Sequence, residues 1–267
     1  MPLWSRAVES VQPRPILCDP MAVAIVERLD YDFERFRRRG VDPVGYCSRA
    51  AIIDQLVREW LCLHPAGNVV ELGVGLDTRF DRLDNGDVCW WELDLPEVIG
   101  LRRHFFSETP RRRFLAYSLL DPEWTQAIPD RHISPVLIVA EGVFYFFRHK
   151  VLLDVFARLS REFPGGRIIF DCQSPWFLRY SRWRHPLRTS ALVWSVGSVE
   201  RLARQIPRVQ SVRWIGFGDS PYYDGHLNRF PLHFRILRRW FPAVRGAFKI
   251  VEFTFAKPAS PADEADG

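Results

Sequence analysis

A glycine turn directly after an apolar strand is the part of the chain that most clearly indicates chemistry. Residues 69–72 are Val-Val-Glu-Leu, and they run into Gly73-Val74-Gly75. Glycines allow a tight turn and a close approach of the backbone to a ligand, because no Cβ obstructs either. Roughly 20 residues further on, a second strand ends at Asp94, where open α/β sheets bind ribose hydroxyls. Together the two segments predict a site for a nucleotide-type cofactor.

The spacing of the glycines favours one class of cofactor over another. The dinucleotide fingerprint has a third glycine where helix and strand meet beneath a pyrophosphate, and this chain has Thr78 there. S-adenosylmethionine contains a ribose and an adenine but no phosphate, so the turn and the acidic strand end suffice for it. A lone Gly-x-Gly after a strand is often only a turn, and the nearby Asp94 argues against that alternative. The pattern therefore favours S-adenosylmethionine over a nicotinamide or flavin.

Short apolar runs alternate with helical periodicity and predict the elements that position this site. Strands are predicted at 68–72, 90–94, 114–119, 136–140, 167–171, 212–218 and 247–256, and helices at 96–106 and 150–163. Alternating strands and helices indicate an α/β fold with a doubly wound, mostly parallel seven-stranded sheet. The last two strands are expected to form its hairpin-like edge.

The length and hydrophobic content indicate one domain. A chain of 267 residues that is 47% hydrophobic can bury a large core without splitting. We expect a helical cap at 1–66, a cofactor-binding core at 67–172, an insertion over the cleft at 173–210, and C-terminal strands at 211–257. Within the insertion, residues 191–206 are predicted to be largely helical. Residues 258–267 are predicted to be a disordered tail.

Charge and cysteine content exclude several classes of partner. The formal net charge is +5, yet the arginine runs 37–39 and 111–113 are short and lack interleaved aromatic residues, so no nucleic-acid partner is expected. Five scattered cysteines indicate reduced thiols and a cytoplasmic protein. Without a His-Glu-x-x-His or Cys-x-x-Cys motif we predict no metal site. No apolar stretch approaches the length of a membrane span, so no membrane partner is expected.

Several motifs in combination resemble the leucine carboxyl methyltransferase superfamily, and within it the tetracenomycin-type polyketide O-methyltransferases. The most specific are the run Gly-x-Gly-Leu-Asp-Thr-Arg at 73–79 and Glu-Gly-Val at 141–143. The other matching residues are 6–10, 18–22, 49, 71–72, 92–96, 118–121, 124 and 144–145. The resemblance covers nearly the whole chain. It implies a Rossmann-like class I methyltransferase fold and the cofactor S-adenosylmethionine.

The resemblance also implies roles for individual residues in cofactor binding. Arg49 would pair with the α-carboxylate of the cofactor, and Glu141 with its ammonium group. Further contacts are implied for Gly73, Gly75 and Asp77 at the methionine portion, Asp94 and Leu95 at the ribose, Ser118 and Leu119 at the adenine, and Glu71 below the turn.

The residues leave alternatives for several of these roles. Arg49 can equally be a surface arginine, and Glu141 can be paired with a buried arginine. Glu71 can organise the N–H groups of the turn without touching a ligand. Asp121 can replace Ser118 at the adenine or cap the following helix.

The chemistry of methyl transfer narrows the set of candidate catalytic residues. The reaction is an in-line substitution that depends on positioning, and a carboxylate acceptor is already ionised, whereas a phenol has a pKa near ~10. Tyr145 and His226 are candidates to assist a hydroxyl acceptor, although Tyr145 can also simply pack. Candidates to hold an anionic acceptor are Arg6, Arg14 and Arg79, for which structural salt bridges are an equally good explanation.

The acceptor suggested by the resemblance is a small aromatic or polyketide-type molecule, methylated on a carboxylate or hydroxyl. Aromatic residues make up 14% of the chain, which suits such a cleft, although core packing explains them as well. Three alternatives remain: a protein C-terminus as acceptor, a nonenzymatic S-adenosylmethionine sensor, and an NAD-linked oxidoreductase. The oligomeric state is left open.

Overall fold

A seven-stranded sheet forms the centre of the computed structural model, which describes residues 1–184, 192–216, 219, 226–229 and 232–257. Its strands are β1 (Asn68–Leu72), β2 (Cys89–Asp94), β3 (Arg112–Ala116), β4 (Val136–Ala140), β5 (Arg167–Gln173), β6 (Val209–Gly216) and β7 (Phe248–Phe255). They lie in the order β3-β2-β1-β4-β5-β7-β6. Neighbours among β1 to β5 are parallel, and β7 is antiparallel to both β5 and β6. This confirms the predicted doubly wound, mostly parallel sheet with a hairpin-like edge.

The direction of the strand order reverses between β1 and β4, and the carboxyl ends of these two strands open the crevice where α/β folds bind ligands. All residues of β1 and β4 are buried, as expected for central parallel strands covered on both faces. The glycine turn follows β1 and Glu141 follows β4. The two most specific sequence motifs therefore meet at one place.

Four helices precede the sheet and confirm the predicted cap: α1 (Pro2–Ser10), α2 (Pro20–Arg28), α3 (Glu34–Arg38) and α4 (Pro43–Leu63). Proline is tolerated in a first turn, where its missing N–H would have no partner. The side chains of Asp19 and Asp42 accept hydrogen bonds from Ala22 N and Val44 N, which caps α2 and α4. Residues such as Ile53, Val57 and Trp60 of α4 pack on one face of the sheet.

The other helices connect the strands. They are α5 (Arg79–Leu83), α6 (Pro96–Arg102), α7 (His149–Glu162), α8 (Pro175–Arg184) and α9 (Val199–Ala203), followed by Leu232–Trp240 and Pro242–Arg245; short 3₁₀ helices span Glu123–Ala127, Phe144–Phe146 and Leu227–Arg229. Among these described helices, none is both long and apolar enough to cross a membrane. All five cysteines are free thiols.

Two predictions about the C-terminal half were wrong. Residues 191–206 were expected to be largely helical, but 192–198 have no regular structure and only Val199–Ala203 is α-helical. The backbone of this stretch bonds to other elements instead, since Val193 N donates to Tyr145 O and Val196 N to Gln173 O. The helices between β6 and β7 were also not predicted, because 211–257 was interpreted as strands. Residues 191, 217, 218 and 258–267 lie outside the described part of the chain, so the predicted disorder of the tail stays a prediction.

Candidate functional site

The glycine turn after β1 has the geometry that its sequence predicts. Gly73 and Gly75 have φ angles of 64° and 52°, in the left-handed region that favours glycine. A Cβ on Gly73 would lie 2.5 Å from Cγ2 of Val143, whereas a Cβ on Gly75 would meet nothing within 4 Å. Gly73 is therefore required by packing, and Gly75 leaves open space through which a ligand can approach the backbone.

Asp94, at the end of β2, is hydrogen-bonded to the glycine turn. Its Oδ2 accepts from Gly75 N at 2.7 Å, and its Oδ1 accepts from Leu95 N at 2.8 Å. The carboxylate is part-buried at the carboxyl edge of the sheet, beside the turn. Asp94, which is predicted to bind the ribose, is therefore in direct contact with the turn that is predicted to bind the methionine portion.

The residues proposed for adenine binding form a tight turn after β3. Ser118 N donates to Oδ2 of Asp121 at 3.0 Å, and Ser118 Oγ accepts from Leu120 N. Asp121 therefore closes this turn and does not cap a helix, because the 3₁₀ helix begins at Glu123 with Pro122 as its N-cap. The side chain of Leu119 is buried in the core, so only its backbone remains for a ligand.

Exposed apolar side chains lie beside this turn, at the ends of the two neighbouring strands. Leu95 follows β2, and Tyr117 and Leu120 follow β3; Leu95 is 49% exposed and the other two at least 40%. Asp94 and Ala116 are partners in the sheet, so Leu95 and Tyr117 leave it side by side. A flat, apolar base fits against such a surface.

Arg49 is buried, which contradicts the alternative of a surface arginine. Its Nε donates to Oε1 of Glu141 at 2.9 Å and its Nη1 to Oδ2 of Asp171 at 3.0 Å. Its Nη2 makes no hydrogen bond to the described residues and remains available to a carboxylate. The guanidinium also lies 5.5 Å from the ring centre of Tyr46.

Both carboxylate oxygens of Glu141 are bound by arginines. Oε1 accepts from Arg49, as above, and Oε2 accepts from Nη2 of Arg79. The requirement that a carboxylate after an apolar strand be paired is thus met by protein groups. Contact of Glu141 with the ammonium of a cofactor stays a prediction.

Glu71 lies beneath the turn and is held by two side chains. Its Oε1 accepts from Nη1 of Arg79 and its Oε2 from Nε1 of Trp90 at 3.2 Å. Burial raises the pKa of this carboxyl to about 7. Among the described residues no N–H of the turn donates to Glu71, so the suggestion that it organises those groups was wrong.

Arg79 is fully buried and connects the cap, β1 and β4. In addition to Glu71 and Glu141, its Nε donates to Oδ1 of Asp54 in α4 at 2.8 Å. All three guanidinium nitrogens are therefore occupied, and these carboxylates raise the pKa of Arg79 well above its usual value despite burial. The salt-bridge explanation holds for Arg79, and a role in holding an acceptor does not.

Arg6 is likewise a structural residue that joins α1 to the glycine turn. Its Nε donates to Oδ2 of Asp19 at 2.8 Å, its Nη2 donates to Leu76 O, and its Nη1 lies 3.6 Å from Oδ2 of Asp77. Arg6 is 2% exposed, which leaves little of it for an acceptor. Arg14, the third candidate, lies exposed between α1 and α2.

Asp77, in the glycine turn, is surrounded by three arginines. Its carboxylate lies within 3.6 Å of nitrogens of Arg6, Arg79 and Arg82, and it accepts from Thr78 N at 2.6 Å. These arginines outweigh the effect of burial and hold its pKa well below the usual value. Asp77 is therefore ionised and joins the turn to these arginines.

The buried ion pairs form one cluster with an excess of negative charge. We call it the ion cluster; its members are Arg6, Arg49, Arg79, Arg82, Asp19, Asp54, Glu71, Asp77, Glu141 and Asp171. Four arginines face six carboxyl groups at the carboxyl edge of the sheet. The sulfonium and ammonium groups of S-adenosylmethionine are positive, so the donor set fits this cofactor. No three His, Cys, Asp or Glu side chains of the described ranges are placed to hold a metal ion.

Tyr145 is oriented by Asp171. Its hydroxyl donates to Oδ2 of Asp171 at 2.8 Å, and Oδ1 of the same carboxylate accepts from Gly142 N at 2.7 Å. Burial and the neighbouring Asp171 raise the pKa of Tyr145 well above its usual value, so it does not act as a general base near neutral pH. His226, the other candidate, lies near Glu9 of α1, whose pKa is held below its usual value mainly by the hydrogen bond from Arg229, despite burial.

Asp171 and Asp54 were not identified from the sequence. Asp171 follows the apolar residues 168–170 in β5, and this is the same signal that identified Glu141 after β4. Asp54 lies at 0% exposure in the middle of α4. A carboxylate among buried helical positions requires a partner, which is a signal the sequence does contain.

A chain of aromatic rings leads from this site toward α8. The ring centres of Tyr145 and Phe248 are 6.2 Å apart, those of Phe248 and Phe177 are 6.5 Å apart, and Phe177 lies 6.0 Å from Tyr180. Tyr145 is buried next to Asp171, while Tyr180 is exposed. The rings thus form a continuous aromatic chain between the ion cluster and the surface.

Comparison with known proteins identifies the family. The family model for leucine carboxyl methyltransferase matches residues 1–160. The tetracenomycin polyketide synthesis O-methyltransferase TcmP of Streptomyces glaucescens is 30% identical over 95% of this chain and 94% of its own. An S-adenosyl-L-methionine-dependent methyltransferase of Gibberella zeae, dpfgK, is 25% identical over 77% and 76% of the two chains.

A solved structure supports the fold independently. The crystal structure of a proposed methyltransferase from Thermobifida fusca superposes with a TM-score of 0.58 at 13% identity, covering 94% of each chain. At this identity the likeness shows the fold alone. The family model and the relative at 30% identity show that the chain belongs to the leucine carboxyl methyltransferase family of S-adenosylmethionine-dependent enzymes.

Proposed function

We propose that the protein transfers a methyl group from S-adenosylmethionine to an oxygen of a small aromatic, polyketide-type molecule. The observation that carries this proposal is the 30% identity with a polyketide O-methyltransferase across 95% of the chain. That similarity includes the cap and the region after β5, and these are the parts proposed to lie beside the acceptor.

The residues that would hold the cofactor surround the carboxyl ends of β1, β2 and β4. Nη2 of Arg49 would bind the α-carboxylate through a charge-assisted hydrogen bond, since Nε and Nη1 are already bonded to Glu141 and Asp171. Asp94 would accept from the ribose hydroxyls, and the open space at Gly75 admits the methionine portion. When bound, S-adenosylmethionine supplies a methyl group on a positively charged sulfur.

The site favours an acceptor that needs little help in losing a proton. Tyr145 holds its proton toward Asp171, and its raised pKa makes it a poor base. A carboxylate acceptor is already ionised near neutral pH, while a phenol with a pKa near ~10 requires a base. We therefore place a carboxylate first and a hydroxyl second. In either case the work of the protein is to align the acceptor oxygen with the methyl group.

Mass spectrometry of acceptors incubated with the protein and S-adenosylmethionine tests this proposal. The panel contains aromatic carboxylic acids, the matching phenols, and peptides that end in leucine. We expect one methyl group on an aromatic acid or phenol and none on the peptides. Methylation of the peptides alone would establish the protein C-terminus as acceptor. Tight binding of S-adenosylmethionine without transfer to any acceptor would favour the sensor alternative.

A further inference from the structure

Positive charge is concentrated in the two connections that leave the carboxyl edge of the sheet after β5 and after β6. Residues 174–198 and 217–247 contain nine of the 37 arginines and lysines of the chain and two of its 32 aspartates and glutamates. The rest of the chain therefore carries a formal net charge of −2. Such a separation of charge creates a strong local potential, which attracts an anionic partner.

The same two connections expose large apolar side chains. On the helix Leu232–Trp240, three side chains at a spacing of four residues are largely exposed: Leu232 at 65%, Ile236 at 51% and Trp240 at 71%. Residues at this spacing lie on one face of a helix. Phe241, directly after the helix, is 55% exposed, and on α8 Trp176 and Tyr180 are also exposed.

We call these groups together the basic apolar surface. It consists of Trp176, Tyr180, Leu232, Ile236, Trp240 and Phe241 with the exposed arginines Arg179, Arg182, Arg235 and Arg239. Exposed large apolar side chains grouped in this way on a folded protein often mark an interaction site.

The topology places both halves of this surface on the same side of the molecule. Gln173 at the end of β5 pairs with Phe248 at the start of β7, and Lys249 pairs with Gly216 at the end of β6. Both connections therefore leave the sheet at its carboxyl edge. Contact between Phe177 of α8 and Phe248, with ring centres 6.5 Å apart, joins the first connection to the base of the second.

We propose that the basic apolar surface docks the protein on an anionic lipid membrane. A helix with Leu, Ile and Trp on one face and arginines beside them has the composition of helices that lie in a membrane interface. The arginines would bind lipid phosphates, and the aromatic rings suit the level of the headgroups. A second copy of the chain is a poorer occupant, because its arginines would face these arginines.

This inference departs from the expectation of no membrane partner. That expectation rested on the lack of an apolar stretch long enough to span, whereas a peripheral helix needs only one apolar face. Docking at this side would place the exposed end of the aromatic chain, at Tyr180, next to the lipid. The inference does not depend on which acceptor is methylated.

Vesicle co-sedimentation of the full chain tests the proposal. Vesicles of phosphatidylcholine alone are compared with vesicles that also contain phosphatidylglycerol, at about 0.05 M and about 0.5 M NaCl. We expect binding to the anionic vesicles only, and most of it to be lost at the higher salt concentration. Equal binding to both vesicle types, or no binding to either, would overturn the proposal; the second result together with dimerisation would assign the surface to a second copy.

Matched variants locate the contact. Ile236→Glu with Trp240→Glu should reduce the bound fraction about tenfold, since charges replace side chains that enter the interface. Ile133→Glu is the control, because Ile133 is 84% exposed and precedes β4 at the opposite edge of the sheet. Arg235→Gln with Arg239→Gln should weaken binding at low salt, and Arg37→Gln in α3 should not. Unchanged S-adenosylhomocysteine affinity verifies that each variant is folded. Loss of binding in the controls, or its persistence in the paired variants, would contradict this docking surface.

Discussion

Arg49 and Asp171, 122 positions apart in the chain, are joined by a 3.0 Å hydrogen bond between Nη1 and Oδ2. Arg49 belongs to the cap helix α4 and Asp171 to the central strand β5. The same carboxylate holds Tyr145 and Gly142 N, so one buried group fixes the cap, the Glu-Gly-Val segment and the sheet relative to one another. Asp171 thus orients Arg49, whose Nη2 is proposed to bind the cofactor.

Replacing Asp171 should therefore weaken cofactor binding without direct contact with the cofactor. We expect Asp171→Asn to raise the Kd for S-adenosylhomocysteine by about tenfold, because a charge-assisted bond that positions Arg49 is lost. Tyr145→Phe is the matched control, since it removes only the phenol's bond to Asp171. Calorimetric titration measures both. An Asp171→Asn protein that binds like the wild type would show that Arg49 does not need this orientation.

Arg79→Met tests the structural role assigned to Arg79. The substitution removes one arginine partner from each of Asp54, Glu71 and Glu141 and leaves the buried Glu71 without any, which should cost about 3–5 kcal/mol of unfolding free energy. Arg111→Met is the control, because its pair with Asp84 lies at the surface. Chemical denaturation measures both. Equal stability of the two variants would mean that the ion cluster contributes little to the fold.

Asp94→Ala should weaken binding of S-adenosylmethionine by tenfold or more, on the order of 1.4 kcal/mol or above. The variant loses the predicted ribose contact and also the bond that holds Gly75 N. Glu97→Ala, at an exposed position in the first turn of α6, should bind normally. An unchanged affinity of Asp94→Ala would remove Asp94 from the site.

Glu71 should make the stability of the fold depend on pH near neutrality. Burial raises its pKa from 4.5 to about 7, so between these values the folded state binds more protons than the unfolded state. The contribution of Glu71 to stability is therefore greatest below pH 4.5 and falls as the pH rises through this window, by up to about 3 kcal/mol. Unfolding of wild type and Glu71→Gln at several pH values measures this. The variant should lose the decline, and an equal decline in both proteins would contradict the assignment.

The sequence predicted those parts of the site that lie at the ends of strands. Gly73, Gly75 and Asp94 are adjacent to strand ends, and parallel strands bring such residues to one edge whatever the packing around them. The partners of Arg79 could not be predicted in this way. Asp54 and Glu141 are distant in the chain, and they meet only because α4 packs on the sheet.

The sequence also predicted a helix where hydrogen bonds to distant parts of the chain determine the backbone conformation. Residues 192–198 are apolar enough to suggest a helix, yet the carbonyls of Tyr145 and Gln173 bind their N–H groups. The helix Leu232–Trp240 was missed although its signal is present, with apolar residues at 232, 236 and 240. Its exposed face contradicts the usual expectation that such a stripe turns to the core.

The most direct test of the central claim is calorimetric titration of the purified protein with S-adenosylmethionine, S-adenosylhomocysteine and NAD. The proposed contacts at Arg49, Gly75 and Asp94 predict micromolar binding of the first two compounds and none of NAD. Binding of NAD alone, or of none of the three, would contradict the assignment of this site to S-adenosylmethionine.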